Sequence, residues 1–279
     1  MPLGLTMKNG IDRIGLIAGK GMLPEVIARK LSSGGAEVYS VGFRRITGRG
    51  LKKYVRELEY IRLGELQPII YYLKARQVQK AVVCGLVKHR KIFDGLEMDD
   101  AAKKMFASMK DRRADSILGV FAGELKKEGI ELLSAADIIP ENLLGGGLLT
   151  RQGPDSAQGA DIEFGYMIAK GVAGMDIGQT VVVKDRAVVA VEGIEGTDRC
   201  ILRAGELAGR GCVAVKVSKP EQDMRFDMPV IGMKTVNSMK KARASVLAVE
   251  AGKAIILEKE KVIKEAGRNN IIITGIEPE

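Results

Sequence analysis

The sequence predicts an α/β protein with an N-terminal Rossmann-like domain, built on a parallel sheet, and a C-terminal mixed α/β domain. The first observation is a strand, a glycine-rich loop, a helix and a second strand in succession near the start, which is how a doubly wound fold begins. The second is the alternation of short apolar runs with helical patterns along the rest of the chain. At 279 residues the chain is longer than one average core needs, so we expect two domains.

The elements of the N-terminal domain follow in order. Ile14 to Ala18 is predicted as a buried strand, a helix begins near Pro24, and Glu37 to Gly42 is the second strand. Further strands are predicted at Glu59 to Leu63, Lys80 to Val87 and Ile130 to Ala135. Helices are predicted at Gly64 to Arg76, Asp99 to Lys110 and Ala114 to Glu128, with Met105, Phe106, Met109, Val120 and Phe121 at core spacing.

The glycine-rich loop contains Gly19, Gly21 and Met22, and its backbone amides can cradle a phosphate. Pro24 stands where a dinucleotide fingerprint has its third glycine, and no acidic residue follows the second strand. A nucleotide is therefore compatible with this loop, but NAD is poorly supported. A tight turn that requires glycine explains the same residues equally well.

A basic cluster, Gly85 to Lys91, follows the strand predicted at Lys80 to Val87 and includes Leu86 and His89. The carboxyl ends of strands in an open parallel sheet face the ligand crevice, so this cluster is expected beside the Gly19 loop. A solvated basic loop is the alternative interpretation.

A glycine-rich run from Leu143 to Pro154 breaks the periodicity and predicts a boundary or hinge, so we place the domains at residues 1–145 and 146–279. Helices are predicted in the second domain at Ser156 to Ala173, Thr197 to Gly209 and Thr235 to Ala244. Strands are predicted there at Thr180 to Val183, Ala187 to Glu192, Gly211 to Ser218, Gln222 to Met228, Ser245 to Glu250, Ala254 to Leu257 and Ile271 to Gly275.

The start of the helix predicted at Thr197 allows two interpretations. Thr197 or Asp198 is a natural N-cap, but the same residues could face an anion at the helix terminus. Glu192 and Glu195 add two acids nearby, and the three carboxylates together could attract a divalent cation.

Composition limits the choice of function. Net charge is +9, from 44 Lys and Arg against 35 Asp and Glu, which favours an anionic partner. Aromatic residues are only 4% and tryptophan is absent, so nucleic acid is a weak choice. A single histidine, His89, excludes a multi-histidine metal site, and the three cysteines show no paired spacing. Any metal is therefore expected to be Mg²⁺ or Mn²⁺ on carboxylates.

Gln222 to Pro229 alternates apolar and charged residues, as an amphipathic strand does. The apolar set is Met224, Phe226 and Met228, and the charged set is Asp223, Arg225 and Asp227. Solvated ion pairs on such a strand are the plainer interpretation. On a straight strand Asp223 and Asp227 would be about 13 Å apart, so they could share a metal only if the chain bends. Asp223 could instead orient Arg225.

Several motifs taken together resemble one known family. They are Gly15-Leu16-Ile17-Ala18-Gly19 with Gly21 and Leu23-Pro24, Leu149-Thr150, Asp176-Ile177-Gly178-Gln179, Ala190-Val191-Glu192, Glu195-Gly196-Thr197-Asp198, Lys216 with Lys219-Pro220, and Gln222-Asp223 with Arg225, Asp227, Pro229 and Ile231-Gly232. In this order they are similar to the LpxI-type UDP-2,3-diacylglucosamine diphosphatases of lipid A biosynthesis, over nearly the whole chain. The element from Asp111 to Asp115 departs from the family, which commonly has two adjacent acids there.

The resemblance implies a Mg²⁺-dependent hydrolase that converts UDP-2,3-diacylglucosamine into UMP and 2,3-diacylglucosamine 1-phosphate (lipid X), with the ligand cleft between the two domains. Mn²⁺ is the alternative ion that the composition allows. Asp227, Arg225 and Asp198 are implied in catalysis, and Asp227 and Asp223 in metal binding. Substrate-binding residues are expected at Gly19, Gly21, Met22, Gly85, Leu86, Thr150, Gln179, Thr197, Lys216, Lys219 and Gln222. We expect a cytoplasmic protein with no nucleic-acid partner. Transient contact with the inner membrane and homo-oligomerisation are both compatible with this expectation.

Two other functions remain to be weighed. A non-catalytic nucleotide or nucleic-acid binding protein would use the basic surface, and its binding would depend strongly on salt. A nicotinamide oxidoreductase would depend on the glycine-rich loop alone.

Overall fold

The computed structural model describes residues 12–87, 96–109, 114–220, 222–225 and 228–277, with the side chains of residues 114 and 115 left aside. The chain divides into two compact units, residues 1–140 with 223–227 and residues 141–222 with 228–279. A short segment from late in the chain therefore belongs to the first unit.

The described strands of the first unit form one parallel sheet, as predicted. They are β1 (Arg13–Ala18), β2 (Glu37–Phe43), β3 (Glu57–Ile61), β4 (Lys80–Cys84) and β5 (Glu131–Leu133). Their order is β3-β2-β1-β4-β5, so the chain turns in opposite directions on the two sides of β1. In such sheets this switch point is where ligands bind, beyond the carboxyl ends of the strands.

Helices cover this sheet: α1 (Leu23–Ser33), α2 (Leu66–Ala75), α3 (Asp100–Ala107), α4 (Ala114–Lys127) and α5 (Ala135–Ile138), with a 3₁₀ helix at Arg49–Tyr54. α1 has Pro24 in its first turn, and it buries Ile27 and Leu31. Met105 is buried, and Phe106, Val120 and Phe121 pack against the same core, which confirms the core interpretation of these four residues. Met109 is half-buried and is not part of that core cluster.

Several predicted ends shift in the structure. β3 begins two residues before the predicted strand, and β4 ends at Cys84 rather than at residue 87. The physical reason for the second difference is Gly85, whose φ of +93° is incompatible with a continuing strand.

The second unit contains a mixed sheet of described strands. They are β6 (Gly147–Leu148), β7 (Thr180–Lys184), β8 (Ala187–Val191), β9 (Val213–Lys216), β11 (Val246–Glu250) and β13 (Ile272–Ile276). The order is β6-β13-β11-β9-β7-β8, with β9, β11 and β13 parallel to one another and β7 antiparallel to β8 and β9. A separate parallel pair joins β10 (Val230–Ile231) to β12 (Ile255–Ile256).

Helices pack on both faces of the mixed sheet. They are α6 (Ser156–Gly174), α7 (Thr197–Ala208), α8 (Met233–Ala242) and α9 (Lys259–Arg268), the last of which the sequence patterns did not predict. Along β9, Ala214 belongs to the core shared with α7 and α8, whereas Val213 and Val215 belong to the core shared with α6. This alternation follows from the two-residue period of a strand.

The glycine-rich run from Leu143 to Pro154 contains an element that the sequence did not reveal. Within it, β6 pairs with β13, and Leu144 is fully buried, with its N–H donating to the Ala254 carbonyl at 2.9 Å. Part of the run is therefore built into the second unit.

The strand predicted at Gln222 to Met228 is wrong for the residues of this stretch that the structure describes. Met224 and Arg225 form a turn, in which the Arg225 N–H donates to Asp223 Oδ1 at 3.0 Å. Within the first unit, Ser134 Oγ donates to the Met224 carbonyl at 2.8 Å. A side chain that accepts a hydrogen bond from the backbone two residues on competes with a strand, and that local bond explains the difference.

Asp227 and Phe226 lie outside the described residues, as do His89 and the Asp111–Arg113 part of the altered acidic element. Within the described part of the chain, none of the helices has the length and apolar character needed to cross a bilayer.

Gly15, in the middle of β1, has no room for a side chain. A Cβ built there would stand 2.9 Å from Leu73 Cδ2 and 3.0 Å from Ala81 Cβ. We expect Gly15→Ala to lower the free energy of unfolding by about 1–3 kcal/mol, because overpacking forces neighbours to move. Chemical denaturation followed by circular dichroism measures this.

Gly123 is the matched control for that substitution. It lies exposed within α4, and nothing stands within 4 Å of a Cβ built there. Gly123→Ala should raise the free energy of unfolding by about 0.5–1 kcal/mol, because alanine favours the helix. Equal effects of the two substitutions would contradict the packing argument.

Candidate functional site

One edge of the mixed sheet in the second unit gathers several polar side chains. β9 ends at Lys216, which is paired across the ladder with Thr180, the first residue of the antiparallel β7. Glu192 follows β8, and its N–H donates to the Thr180 carbonyl at 2.8 Å. Strand direction thus brings together residues that are distant in sequence.

The Lys216 side chain is the most buried cation at this edge, with only 7% of its side chain exposed. Its ammonium donates to Thr197 Oγ1 at 2.8 Å and lies 3.4 Å from Thr180 Oγ1. The Glu192 Oε2 atom is 3.9 Å away, which is an ion pair without a direct hydrogen bond. A buried ammonium needs such partners to offset its lost hydration.

Glu192 completes this network with one oxygen and leaves the other without a bond. Oε1 accepts a hydrogen bond from Thr197 Oγ1 at 3.0 Å, whereas Oε2 is buried and has no hydrogen-bond partner among the described residues. Gly178 packs against the Glu192 backbone so closely that no larger residue fits, which explains a glycine at that position of the motif. We call Lys216, Thr197, Thr180 and Glu192 the lysine network.

The prediction that Thr197 or Asp198 caps α7 is wrong. Gly196, with φ +84°, occupies the N-cap position and supplies no side-chain bond, and Thr197 is the first helical residue. Its hydroxyl is held in the lysine network instead. The first amides of α7 therefore have no side-chain cap, and the positive end of the helix dipole lies beside the Lys216 ammonium.

Asp198 lies in the first turn of α7 and is half-buried. Its carboxylate has no hydrogen-bond or ion-pair partner among the residues that the structure describes. It is therefore available to a ligand, unlike its two acidic neighbours.

Glu195 is committed to a structural role. It accepts hydrogen bonds from Arg203 Nη2 at 2.7 Å and from the Gly193 N–H at 3.1 Å. The Arg203 hydrogen bond holds the pKa of Glu195 below its ordinary value. The predicted cation site of Glu192, Glu195 and Asp198 does not form, because the first two are bound by cations and hydroxyls, and no group of three metal-ligating side chains occurs in the described ranges.

The chain after β9 is held by a second buried carboxylate, Glu250, at the end of β11. Glu250 Oε2 accepts from the Ser218 N–H at 2.8 Å and from Ser218 Oγ at 3.0 Å. Lys170 of α6 donates to Glu250 Oε2 at 3.1 Å and to the Ser218 carbonyl at the same distance. These contacts fix the backbone that leads to Lys219.

Lys219 and Gln222 form the next anchor. Lys219 Nζ lies 2.5 Å from Asp176 Oδ1, and the Lys219 N–H donates to Gln222 Oε1 at 2.8 Å. Three lysine–carboxylate pairs therefore follow one another around the carboxyl end of β9. Side-chain bonds therefore anchor the backbone at Ser218 and Lys219.

In the first unit, the start of the predicted cluster lies beside the glycine-rich loop, as predicted for Gly85 and Leu86, whereas Lys88 to Lys91 lie outside the described residues. Gly19 N donates to the Cys84 carbonyl at 2.8 Å, and Lys20 and Leu86 exchange two backbone bonds of 3.0 and 2.8 Å. A Cβ on Gly19 would stand 2.7 Å from the Gly85 backbone, so glycine is required by this close approach. Gly21 is required instead by its φ of +117°.

Asp223 and Arg225, also in the first unit, form a bidentate pair. Arg225 Nε lies 2.9 Å from Asp223 Oδ1, and Nη2 lies 2.5 Å from Oδ2. This hydrogen bonding lowers the pKa of Asp223 and raises that of Arg225. The predicted role of Asp223 as the residue that orients Arg225 agrees with this geometry, whereas a metal would have to compete with the guanidinium.

The remaining predicted site residues are placed as follows. Gln179 precedes Thr180 at the edge of the lysine network, and its carbonyl accepts from the Val217 N–H at 2.9 Å. Thr150 lies near the amino end of β13, where its hydroxyl accepts from the Ile273 N–H at 3.2 Å and donates to the Gln152 carbonyl at 3.1 Å. The structure therefore does not bring Thr150 to the edge that carries Lys216.

Sequence reasoning missed Thr180, Ser218, Lys170 and Glu250. One signal was available for Glu250, because it is a lone acid at the end of an otherwise apolar strand. Nothing local marks Lys170, since its partner lies 80 residues further along the chain.

Comparison with known proteins agrees with the resemblance. The LpxI N-terminal domain family matches residues 13–142, and the LpxI C-terminal domain family matches residues 145–274. A curated relative, the UDP-2,3-diacylglucosamine pyrophosphatase LpxI of Caulobacter vibrioides, is 30% identical over 278 residues, which cover 96% of this chain and 98% of the relative. The two α/β units and their motifs thus define a two-domain protein of the LpxI type. The chain belongs to the LpxI family.

Similarity to solved structures is weak. A biotin carboxylase from Campylobacter jejuni has a TM-score of 0.28 and 13% identity, over 71% of this chain and 42% of its own. An N5-carboxyaminoimidazole synthetase from Staphylococcus aureus has a TM-score of 0.25 and 11% identity, over 76% of this chain and 68% of its own. These scores are too low to carry a structural argument.

The Glu195–Arg203 pair predicts an acid-dependent contribution to stability. A carboxyl whose pKa is lowered by folding stabilises the protein above its unfolded pKa, and this contribution disappears as pH falls through the folded pKa. Arg203→Gln should therefore reduce the free energy of unfolding by about 0.5–1 kcal/mol at pH 7, a modest value because the pair is partly solvated. Urea titrations at several pH values measure the difference.

The difference between wild type and Arg203→Gln should stay constant from pH 7 to about pH 5 and shrink below the ordinary pKa of glutamate, near 4.5. A difference that grew on acidification would have the wrong sign for this pair. Lys127→Gln, which removes an exposed pair with Glu124 on α4, serves as the control.

Proposed function

We propose that this protein hydrolyses the pyrophosphate bond of UDP-2,3-diacylglucosamine, releasing UMP and 2,3-diacylglucosamine 1-phosphate. Support comes from the match of both LpxI domains and from the named activity of the Caulobacter vibrioides relative. We propose a cytoplasmic location, and self-association is compatible with this function.

The observation that carries the proposal is the lysine network at the uncapped start of α7. An ammonium has three donors. Among the described residues, Lys216 has one short hydrogen bond, to Thr197, and one long one, to Thr180. Its remaining capacity and the free amides of α7 favour a dianionic group at the same place. A pyrophosphate has this chemistry, and its charge increases at the leaving group as the bond breaks.

Glu192 offsets part of the positive charge that Lys216 brings to the lysine network. It holds the Thr197 hydroxyl in the orientation that accepts from Lys216, and it partly neutralises the ammonium before substrate binds. We therefore propose Lys216 and Thr197 as phosphate contacts, and Glu192 as the residue that orients both. We propose that Lys219 and Gln222 fix the backbone immediately before the segment that carries Asp227.

The chemical step requires a water molecule, a phosphorus centre and a leaving group. Water adds to the phosphorus on the sugar side, the bond from that phosphorus to the bridging oxygen breaks, and the bridging oxygen leaves with UMP. We propose that Asp227 accepts the proton of the water and that Arg225, held flat by Asp223, contacts a phosphate oxygen. The family resemblance implies both residues in catalysis, and the division of roles between them is part of this proposal.

We also propose that the reaction requires Mg²⁺, with Mn²⁺ as a substitute. Mg²⁺ commonly binds through one or two carboxylates together with substrate phosphates, so a protein cage is not needed. Asp198, whose carboxylate has no partner within the described ranges, fits such a role beside the α7 amides. Bound there, the ion would neutralise charge on the phosphates. Separately from that position, the family resemblance implies Asp227 and Asp223, both in the first unit, as metal ligands.

Removing the charge of Lys216 tests whether the lysine network contributes to hydrolysis. Lys216→Met should lower kcat/KM for UMP release by about 100- to 1,000-fold, the usual cost of losing one preorganised donor to a developing charge. Discontinuous detection of UMP with detergent-dispersed substrate measures it. Lys241→Met is the matched control, because Lys241 is exposed in the last turn of α8. A variant at Lys216 with normal turnover would remove the lysine network from the mechanism.

Asp227→Asn tests the catalytic assignment separately. We expect an unchanged melting temperature and a loss of Mg²⁺-dependent UMP release by at least about 100-fold, the common range for a proton-transfer residue. EDTA-treated wild type provides the metal-free reference. Binding of nucleotide without any UMP release from the wild type, weakened strongly by salt, would instead favour a non-catalytic binding protein.

A further inference from the structure

The segment from Arg44 to Lys53, which follows β2, is the most one-sidedly charged stretch among the described residues of the first unit. It carries five cations in ten positions and has no acid: Arg44, Arg45, Arg49, Lys52 and Lys53. All five are exposed. We call this segment the cationic loop.

The backbone of the cationic loop is held firmly. Thr47 is buried, accepts from the Phe43 N–H at 2.8 Å and donates to the Ala18 carbonyl at the end of β1. Leu51, in the 3₁₀ helix, is 1% exposed and anchors the other end. The charged side chains therefore project from a fixed frame.

The five cations have no ion-pair partner within the described ranges, although Arg44 Nε donates to the Tyr60 carbonyl at 3.1 Å. Nearby cations behave differently, since Arg56 lies 3.1 Å from Glu37 and Arg62 lies 3.2 Å from Glu97. One acid near this loop is Glu25, whose Oε1 would stand 2.5 Å from a Cβ built on Gly50. Five exposed cations without an ion-pair partner among the described residues leave a positive surface.

Two exposed aliphatic side chains lie at the same edge of the sheet. Met22 follows β1 and is 45% exposed, and Leu86 follows β4 and is 61% exposed. β1, β2 and β4 are parallel, so the loops after them share the carboxyl edge. The hydrogen bond from Thr47 to Ala18 joins the cationic loop directly to the chain that leads to Met22.

Cations that surround protruding aliphatic residues are typical of a surface that docks on an anionic bilayer. The cations attract lipid headgroups, and the aliphatic tips enter the interface. A single-stranded nucleic acid would need aromatic rings for stacking. The cationic loop offers none, and its neighbours Phe43 and Tyr54 are buried and half-buried.

We propose that the cationic loop, with Met22 and Leu86, docks this protein on a membrane surface containing anionic phospholipids. The proposal deepens the proposed function, because a diacylated substrate is delivered from a bilayer, and it names the surface that would meet that bilayer. Attachment is reversible, since it depends on screened charges and two short side chains.

Co-sedimentation with vesicles tests the proposal without any substrate. The full chain is mixed with vesicles of 30% phosphatidylglycerol in phosphatidylcholine, and with pure phosphatidylcholine vesicles, at low and high salt. We expect binding to the anionic vesicles only, lost at high salt. Arg49→Gln, Lys52→Gln and Lys53→Gln together should weaken binding by on the order of 100-fold, about fivefold for each cation.

The matched control neutralises three cations elsewhere. Arg210, Lys241 and Arg243 line a cleft of about 400 Å³ in the second unit, beside Glu206. Arg210→Gln, Lys241→Gln and Arg243→Gln together should leave vesicle binding within twofold of the wild type. Equal weakening by both triple variants would show that only net charge matters and would overturn the assignment of a surface.

Activity separates this proposal from the proposed function. The cationic-loop variant should hydrolyse detergent-dispersed substrate at the wild-type rate and hydrolyse substrate embedded in anionic vesicles at least tenfold more slowly. A wild type that hydrolyses dispersed substrate but does not bind vesicles would overturn the docking surface alone. A wild type that binds vesicles but hydrolyses neither form would overturn the proposed function while the surface stands.

Discussion

The burial of the Lys216 ammonium is the constraint on which the candidate site depends. A charge placed among strands is tolerated only if its partners are already in position, and here they come from three elements, β7, the turn after β8 and the start of α7. The same requirement explains the form of the surrounding motifs. Gly178 gives the Glu192 backbone room, and Gly196 allows α7 to begin without a side-chain cap, so that Thr197 is free to join the network.

The two units use glycine for related purposes. In the first unit Gly19 allows the loop after β1 to contact the Gly85 backbone. In the second unit Gly178 allows the chain before β7 to contact the Glu192 backbone. Each contact lies at the carboxyl edge of a sheet, where strand ends and helix starts expose backbone donors. Edges held by such close backbone contacts are suited to positioning phosphate groups, because donors already in place need little reorganisation when the ligand arrives.

Much of the fold was predictable, and the site was predictable in part. The parallel character of the first sheet, its helices and most strands of the second unit were predicted from local patterns, whereas the strand order was not. The amphipathic interpretation of Gln222–Pro229 failed because alternation of apolar and charged residues is also compatible with a turn, and the Asp223–Arg225 backbone bond favours the turn. The short edge strand β6 was not predicted because it lies in a glycine-rich run. The helix α9 was not predicted because most of its residues are charged.

The sequence by itself determined the order of most elements and the set of motifs that place the chain in its family, because these are local patterns of spacing. Only the tertiary structure decided which polar groups are partners. Lys216 and Thr197 are 19 residues apart, Lys216 and Thr180 are 36 apart, and Lys170 and Glu250 are 80 apart. No period in the sequence encodes such pairs, because they arise from the directions in which neighbouring strands cross the sheet.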